Sequence, residues 1–367
     1  MNIAMFGQKH ILSREGGVEI VVKELATRMV DRGHNVTCYD RHTRHVSGED
    51  IERRNVYKGV RIKSVFTIDK KGLAAMTSSF SAALRSAFGK YDVVHIHAEG
   101  PAAMCWIPHL FHKRVIVTVH GLDWARAKWG GFATKYIKWG EKVAVKSADE
   151  IIVLSKSLQD YFDKTYGRKT VFIPNGVSKP ELREAVEIKK RWDLDKDDYV
   201  LFLGRIVPEK GLRYLVEAWK GIETDKKLVI AGGSSDTDLF MKELIEIAGD
   251  NVIFTGFQQG RVLEELYSNA YIYCLPSDLE GMPLSLLEAM SYGNCCVVSD
   301  IPECESVVDG VGVLFSRGNV DELREKLKML IDDPVIVKKY KQSSSSYICS
   351  KYNWDKVVDE TMELYQK

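Results

Sequence analysis

The chain has no apolar run of the roughly 18 residues needed to cross a bilayer, and its first residues lack the apolar core of a signal peptide. Its seven cysteines (Cys38, Cys105, Cys274, Cys295, Cys296, Cys304 and Cys349) form an odd set without a C-x-x-C pair. That argues against a disulfide framework, and the thiols within apolar strand-like runs read as small buried hydrophobes. A reducing, cytoplasmic location is the expectation. No G-x-G-x-x-G follows the first strand candidate, which weakens a dinucleotide-binding reading. There is no repeat of short period and no low-complexity tract beyond Ser343–Ser346. The net charge of +1 lacks the basic excess expected of a nucleic-acid-binding protein.

What is present is enough for two domains: 367 residues with 45% hydrophobic content. The charge is unevenly spread. Residues 1–173 hold 28 Lys and Arg against 17 Asp and Glu, and the remainder holds 24 against 34. The two halves therefore suit different partners, with an anionic surface a candidate for the first.

Apolar strand candidates alternate with amphipathic helical stretches, the pattern of βαβ units with parallel sheets. The first series is 2–6, 35–39, 60–66, 92–97, 115–120, 151–154 and 171–173, with helices near 17–32, 73–88, 101–112, 132–147 and 156–165. Pro174-Asn175-Gly176 is a turn signal. A charged segment follows, and then a second series at 199–203, 227–231, 252–254, 271–275 and 296–299. The reading is α/β with two doubly wound domains: 1–177, a linker at 178–198, 199–345, and a C-terminal helix over 346–367. In such sheets ligands bind at the carboxyl ends of the strands, and two facing domains form a cleft.

Glu280-Gly281-Met282-Pro283-Leu284-Ser285-Leu286-Leu287-Glu288 sets two carboxylates eight positions apart around Gly281 and Pro283. Pro suits a first helical position, so a helix starting at Pro283 puts Glu280 in the preceding loop and Glu288 in the second turn. The N–H groups of the helix start favour a phosphate, and the carboxylates accept hydroxyl hydrogens, which together describe a sugar-nucleotide receptor. Strand 199–203 runs into Gly204-Arg205-Ile206-Val207-Pro208-Glu209-Lys210-Gly211, where Arg205 and Lys210 are either phosphate ligands or solvated loop cations. Gly16 and Gly17 precede a helix and permit close backbone approach, or form a tight turn.

His120 ends a strand ahead of Gly121 and Asp123 and is placed to donate to a hydroxyl, although a lone His is more often structural. His95 and His97 alternate on one strand face; packing suits them better than metal binding, since no other ligand type is spaced beside them. The triplets Asp193–Asp195, Asp195–Asp197 and Asp236–Asp238 read as solvated turns, so no metal site is expected. Lys135, Lys138, Lys142 and Lys146 share one helix face near Trp124, Trp129, Phe132, Tyr136 and Trp139. That face is either solvated or lies on anionic lipid headgroups.

In order along the chain, Gly16-Gly17-Val18-Glu19, Val119-His120-Gly121, Pro174-Asn175-Gly176-Val177, Gly204-Arg205 with Lys210-Gly211, and Pro276-Ser277 before Glu280–Glu288 resemble the family 4 retaining glycosyltransferases. The resemblance implies the GT-B fold, with a last helix crossing back to the first domain. It implies that Arg205 and Lys210 hold the donor diphosphate, that Glu288 accepts from ribose hydroxyls, and that Glu280 and His120 contact the transferred sugar. Backbone around Gly281, Met282, Pro283 and Leu284 is then expected to bind sugar and phosphates, with Gly16 and Gly17 near the phosphate. No metal or cofactor is implied, because the cations and helix dipole offset leaving-group charge, and retention by front-face attack needs no protein nucleophile. The run from His120 to Trp129 resembles bacterial surface-polysaccharide transferases, rhamnosyltransferases among them. That makes a glycan or lipid-linked acceptor the expected partner and dTDP-rhamnose a candidate donor. A sugar-nucleotide epimerase and a non-catalytic sugar-nucleotide-binding module are the competing readings.

Overall fold

A computed structural model describes residues 1–43, 54–70, 72–125, 131–233 and 238–367. Arg126, Lys128, Trp129 and Asp236 lie outside the described residues. The chain divides into two compact units, Met1–Asn175 with Trp354–Lys367, and Gly176–Asn353.

The first unit runs β1 (Asn2–Phe6), α1 (Gly17–Asp31), β2 (Asn35–Arg41), β3 (Val56–Tyr57), β4 (Val60–Val65), α2 (Leu73–Phe88) and β5 (Val93–His97). It continues with α3 (Glu99–Ala102), α4 (Trp106–Leu110), β6 (Arg114–Val119), α5 (Gly131–Ser147), β7 (Glu150–Val153), α6 (Lys156–Tyr166) and β8 (Val171–Phe172). The sheet order is β3-β4-β2-β1-β5-β6-β7-β8, parallel apart from the β3–β4 pair. The strands are near-continuously apolar because helices cover both faces. The predicted helix over 101–112 is two short helices. Pro108 has no N–H to donate and fits only an opening turn, so a new helix starts at Trp106.

The second unit runs α7 (Glu187–Trp192), β9 (Tyr199–Leu203), α8 (Leu212–Trp219), β10 (Lys227–Ala231), α9 (Asp238–Ile247), β11 (Val252–Gly256) and α10 (Gly260–Asn269). Then come β12 (Ile272–Leu275), α11 (Leu284–Ser291), β13 (Cys295–Ser299), α12 (Pro302–Val308), β14 (Val313–Phe315), α13 (Val320–Asp332) and α14 (Pro334–Lys351). Its sheet is wholly parallel in the order β11-β10-β9-β12-β13-β14.

The segment at 178–198 belongs to this second unit. α7 is held by a carboxylate distant in sequence: Glu265 of α10 accepts from the N–H groups of Val186, Glu187 and Ile188 at 3.0, 2.7 and 3.1 Å. Those three N–H groups are the ones a helix start leaves unpaired. α14 also remains in the second unit, so the return to the first begins at Trp354 and not at residue 346.

The last helix, α15 (Trp354–Gln366), belongs to the first unit and packs beside α1 and β6. It buries Val357, Val358, Met362, Leu364 and Tyr365. Arg28 of α1 pairs with Asp355, Arg32 just after α1 pairs with Asp359, and Arg114 donates to the Leu364 carbonyl. Each fully buried apolar side chain contributes roughly 1.5–3 kcal/mol, which outweighs the exposed ion pairs at about 0–1 kcal/mol each. Apolar contact holds this helix.

Candidate active site

In the second sheet β10 and β11 lie to one side of β9, and β12, β13 and β14 to the other. The chain reverses direction across the sheet between β9 and β12, and the crevice beyond such a pair of strand ends is where doubly wound sheets bind ligands. The loop after β9 carries Arg205 and Lys210, and the loop after β12 carries Glu280. Strand order thus brings together two motifs about seventy residues apart.

Glycine permits this approach. Gly211 sits at φ +66°, and a Cβ there would lie 1.9 Å from the Pro276 carbonyl oxygen. A Cβ on Gly232 would lie 1.8 Å from the Gly204 carbonyl oxygen. The loops are then laced by Asp278 N–H donating to the Glu209 carbonyl at 2.9 Å and by the Tyr214 hydroxyl donating to Asp278 at 3.1 Å.

Lys210 Nζ donates to Glu280 Oε1 at 2.5 Å, and the Ser277 hydroxyl donates to the same oxygen at 2.7 Å. Both partners are largely withdrawn from water, at 13% and 9% side-chain exposure. The cation expected at the diphosphate and the carboxylate expected at the sugar are therefore partners of each other. Beside them the Glu209 Oε1 atom is buried without a hydrogen bond. Arg205 is half-buried at the end of β9.

α11 begins at Leu284 with Pro283 as its N-cap residue, one position later than predicted, because Pro283 has an extended backbone. No side chain caps this start and no acidic residue occupies its first turn. Its dipole is thus uncompensated by side chains, as an anion site requires. Gly281, Pro283 and Leu284 are buried and Met282 half-buried. Glu288 lies in the second turn, and its Oε2 accepts from the Tyr267 hydroxyl at 3.2 Å. Tyr267 is itself stacked on Tyr292, with centroids 5.2 Å apart.

The first sheet reverses between β1 and β5. Gly7, at φ +123°, follows β1 and touches the end of β5; a Cβ there would lie 2.0 Å from the His97 carbonyl oxygen. Gly16 is the N-cap residue of α1 and Gly17 its first residue. Glu19 fills the position a Gly16 Cβ would meet, with Oε2 at 2.7 Å, and accepts from the Lys9 N–H at 2.8 Å. Gly16 thus admits a carboxylate of its own chain to the helix start.

Asp40, at the end of β2, accepts from the Gln8 side chain and the Ile11 N–H. Burial, with the nearby Glu19 charge, raises its carboxyl to about 7 despite those bonds.

His120 follows β6 and is half-buried, with Nε2 3.2 Å from His97 Nδ1. Two residues that the sequence pattern did not single out support its loop. Glu99 Oε2 accepts from the Asp123 N–H at 2.8 Å, and Glu141 accepts from Trp124 Nε1, Tyr161 and Tyr166. Burial, then the nearby Asp123 and Glu141, pushes the Glu99 carboxyl well above its usual range. Trp124 thus turns its Nε1 toward Glu141, while Lys138 of α5 lies over its ring with Nζ 4.0 Å from the centroid.

Lys135, Lys138, Lys142 and Lys146 are exposed on α5 with Phe132 and Trp139, opposite the buried Ile137, Gly140 and Ala144. Asp193 and Asp195 pair with Lys189, and Asp197 pairs with Lys341. Among the described residues there is no cluster of three or more His, Cys, Asp or Glu arranged for a metal. No described helix is long and apolar enough to cross a membrane.

Two doubly wound α/β units, each built on a mainly parallel sheet, have the architecture of the GT-B class, and the comparisons give the family. Residues 15–179 match the model of Glycosyltransferase Family 4, and residues 184–347 match that of Glycosyl transferases group 1. The chain belongs to the family 4 glycosyltransferases and is a hexosyltransferase.

An uncharacterized glycosyltransferase of Methanocaldococcus jannaschii is 25% identical, covering 100% of this chain and 98% of that one. The Escherichia coli UDP-Gal:alpha-D-GlcNAc-diphosphoundecaprenol alpha-1,3-galactosyltransferase is 27% identical over 75% of each. Sucrose-phosphate synthase from Thermosynechococcus elongatus superposes with a TM-score of 0.84 at 20% identity, covering 100% and 98% of the two chains. Anabaena HepE, crystallised with UDP-glucose, gives 0.80 at 16% identity over 99% of both.

Proposed function

We propose that this enzyme transfers a hexose or 6-deoxyhexose, with retention, from a nucleoside diphosphate to a glycan or lipid-linked acceptor in surface-polysaccharide synthesis. The observation that carries the reading is the convergence of Arg205, Lys210, Glu280, Glu288 and the α11 start at the β9–β12 reversal. In this reading Arg205 and Lys210 take the diphosphate and the α11 N–H groups add backbone donors. Glu288, already oriented by Tyr267, receives ribose hydroxyls. Glu280 and His120 contact the transferred sugar.

Charge grows on the leaving diphosphate in the transition state, and fixed cations and a helix start stabilise it there without a metal ion. The leaving phosphate oxygen takes the acceptor's proton as the glycosidic bond forms on the same face. Neither carboxylate then serves as nucleophile or general base. The Escherichia coli galactosyltransferase, whose name specifies a diphosphoundecaprenol-linked acceptor, supports the lipid-linked alternative. The exposed lysines of α5 with Phe132 and Trp139 support peripheral contact with an anionic membrane from the cytoplasmic side.

A thermal-shift screen against UDP, GDP, dTDP and ADP identifies the donor base, since a ligand stabilises by RT ln(1 + [L]/Kd). Transfer from the matching sugar donor, lost by about a hundredfold in Glu280→Ala, is the expected result. Turnover of the donor to an epimerised sugar without any acceptor overturns the reading.

A further inference from the structure

β5 and β6 are neighbours in register, with His97 opposite Thr118, so His120 lies just beyond the end of that pairing. His95 and His97 project from the same face of β5, with ring centroids 4.1 Å apart. Both ring nitrogens of His95 are engaged: Nδ1 with the Tyr365 hydroxyl of α15 at 2.6 Å, and Nε2 with the Thr118 hydroxyl at 2.7 Å. His95 therefore meets His97 ring against ring, with the planes tilted by 32°, and not through a hydrogen bond. His97 is wholly buried; its Nδ1 meets His120 Nε2 at 3.2 Å, and its Nε2 has no partner. Burial holds both rings neutral, with His95 lowered to about 3 and His97 well below its usual range.

A neutral imidazole carries one N–H and one lone pair. The His97–His120 bond therefore has two possible polarities. If His97 accepts at Nδ1, its own proton sits on Nε2, a buried N–H with nothing to receive it. If His97 donates from Nδ1, its Nε2 is a bare lone pair. Buried donors without acceptors are rarer in proteins than under-used acceptors, so the second polarity is favoured.

We propose that His97 is a positioning residue for glycosyl transfer: it donates from Nδ1 to His120 Nε2 and so fixes His120 in the tautomer that carries its proton on Nδ1. The step rests on the reading of His120 as a sugar contact. In that tautomer His120 offers a neutral N–H donor to a sugar hydroxyl. His95, held by Tyr365 and Thr118 and packed against the His97 ring, limits the rotation of that ring.

Two readouts test this separately. In protein labelled with 15N only at histidine, the His120 ring signals, assigned with a His120→Asn variant, are expected to show a protonated Nδ1 and a bare Nε2. His97→Leu should mix the two His120 tautomers. His97→Asn, whose amide nitrogen occupies the Nδ1 position, should restore the wild-type pattern, whereas His97→Gln, whose amide reaches the Nε2 position, should not. This measurement needs no donor, so it stands even if the proposed reaction is wrong.

In transfer assays kcat should fall roughly tenfold in His97→Leu and His97→Gln and return to within about threefold of wild type in His97→Asn. Affinity for the nucleotide should stay unchanged. If His97→Leu does not fold, the Asn and Gln pair decides alone. A protonated Nε2 on His120 in the wild type, or equal rates for His97→Asn and His97→Gln, overturns the proposal.

Discussion

Replacing Glu280 by Ala tests the buried ion pair it forms with Lys210. Lys210 keeps only 13% of its side-chain exposure and lies 2.5 Å from Glu280 Oε1. Removing the carboxylate strands an ammonium group with little water to replace its partner. Breaking a buried pair costs roughly 3–5 kcal/mol, and the residual exposure of both groups places this one near 3 kcal/mol. For a domain of this size that lowers Tm by roughly 6–12 °C. Because the cost arises from an uncompensated charge, Glu280→Ala/Lys210→Ala should be less destabilised than the sum of its single variants, with a coupling of about 2 kcal/mol.

In the proposed reading a nucleoside diphosphate brings negative charge back to Lys210. The matching nucleotide should therefore bind Glu280→Ala at least as tightly as wild type and raise its Tm by at least as much, while transfer still falls about a hundredfold. Thermal denaturation of the four proteins with and without nucleotide, beside a rate assay, resolves every contribution. Additive single variants refute the buried-pair argument. A fall in nucleotide affinity matching the fall in rate refutes the assignment of Glu280 to the sugar and Lys210 to the phosphate.

Gly211→Ala must place a Cβ 1.9 Å from the Pro276 carbonyl oxygen on a backbone at φ +66°. It should part the two loops, cost about 2–3 kcal/mol by denaturation, and abolish the nucleotide-dependent thermal shift; a normal shift would contradict the close-approach argument. Asp40 has a folded pKa of about 7 against an ordinary 3.8. The folded state therefore binds the extra proton between those values, and wild-type stability from this group is present below about 4 and falls as pH rises toward 7. Asp40→Asn removes that loss, so its stability relative to wild type should climb by up to about 1.4 kcal/mol per pH unit across the window; a pH-independent difference in urea denaturation would rule this out. Reversing charge at Lys135, Lys138 and Lys142 should abolish sedimentation with anionic liposomes, and wild-type protein that never binds them ends the membrane proposal.

The elements most legible in the sequence are those with a local cause. The strands Asn2–Phe6, Tyr199–Leu203 and Lys227–Ala231 form where the apolar runs place them, because a strand covered on both faces needs only a short continuous apolar segment. β3 and β14, at two and three residues, are too short for any periodic signal. α7 escaped for another reason. Its segment is charged, and the carboxylate that satisfies its first N–H groups comes from Glu265, more than seventy residues away.

The site divides along the same line. The residue types after each strand identified Arg205, Lys210, Glu280, Glu288 and His120 as candidates, because turn chemistry and spacing are local. Their partners are set by strand order, which no local pattern encodes. Lys210 meets Glu280 only because β9 and β12 are adjacent, and His97 meets His120 only because β5 and β6 are. The alternation of His95 and His97 correctly put both on one face, yet packing alone understates their role. Once β6 lies beside β5, one of those rings is bonded to the residue expected at the sugar, and the other to the last helix of the chain. The polarity of that bond then becomes a question about chemistry, which the histidine substitutions can answer.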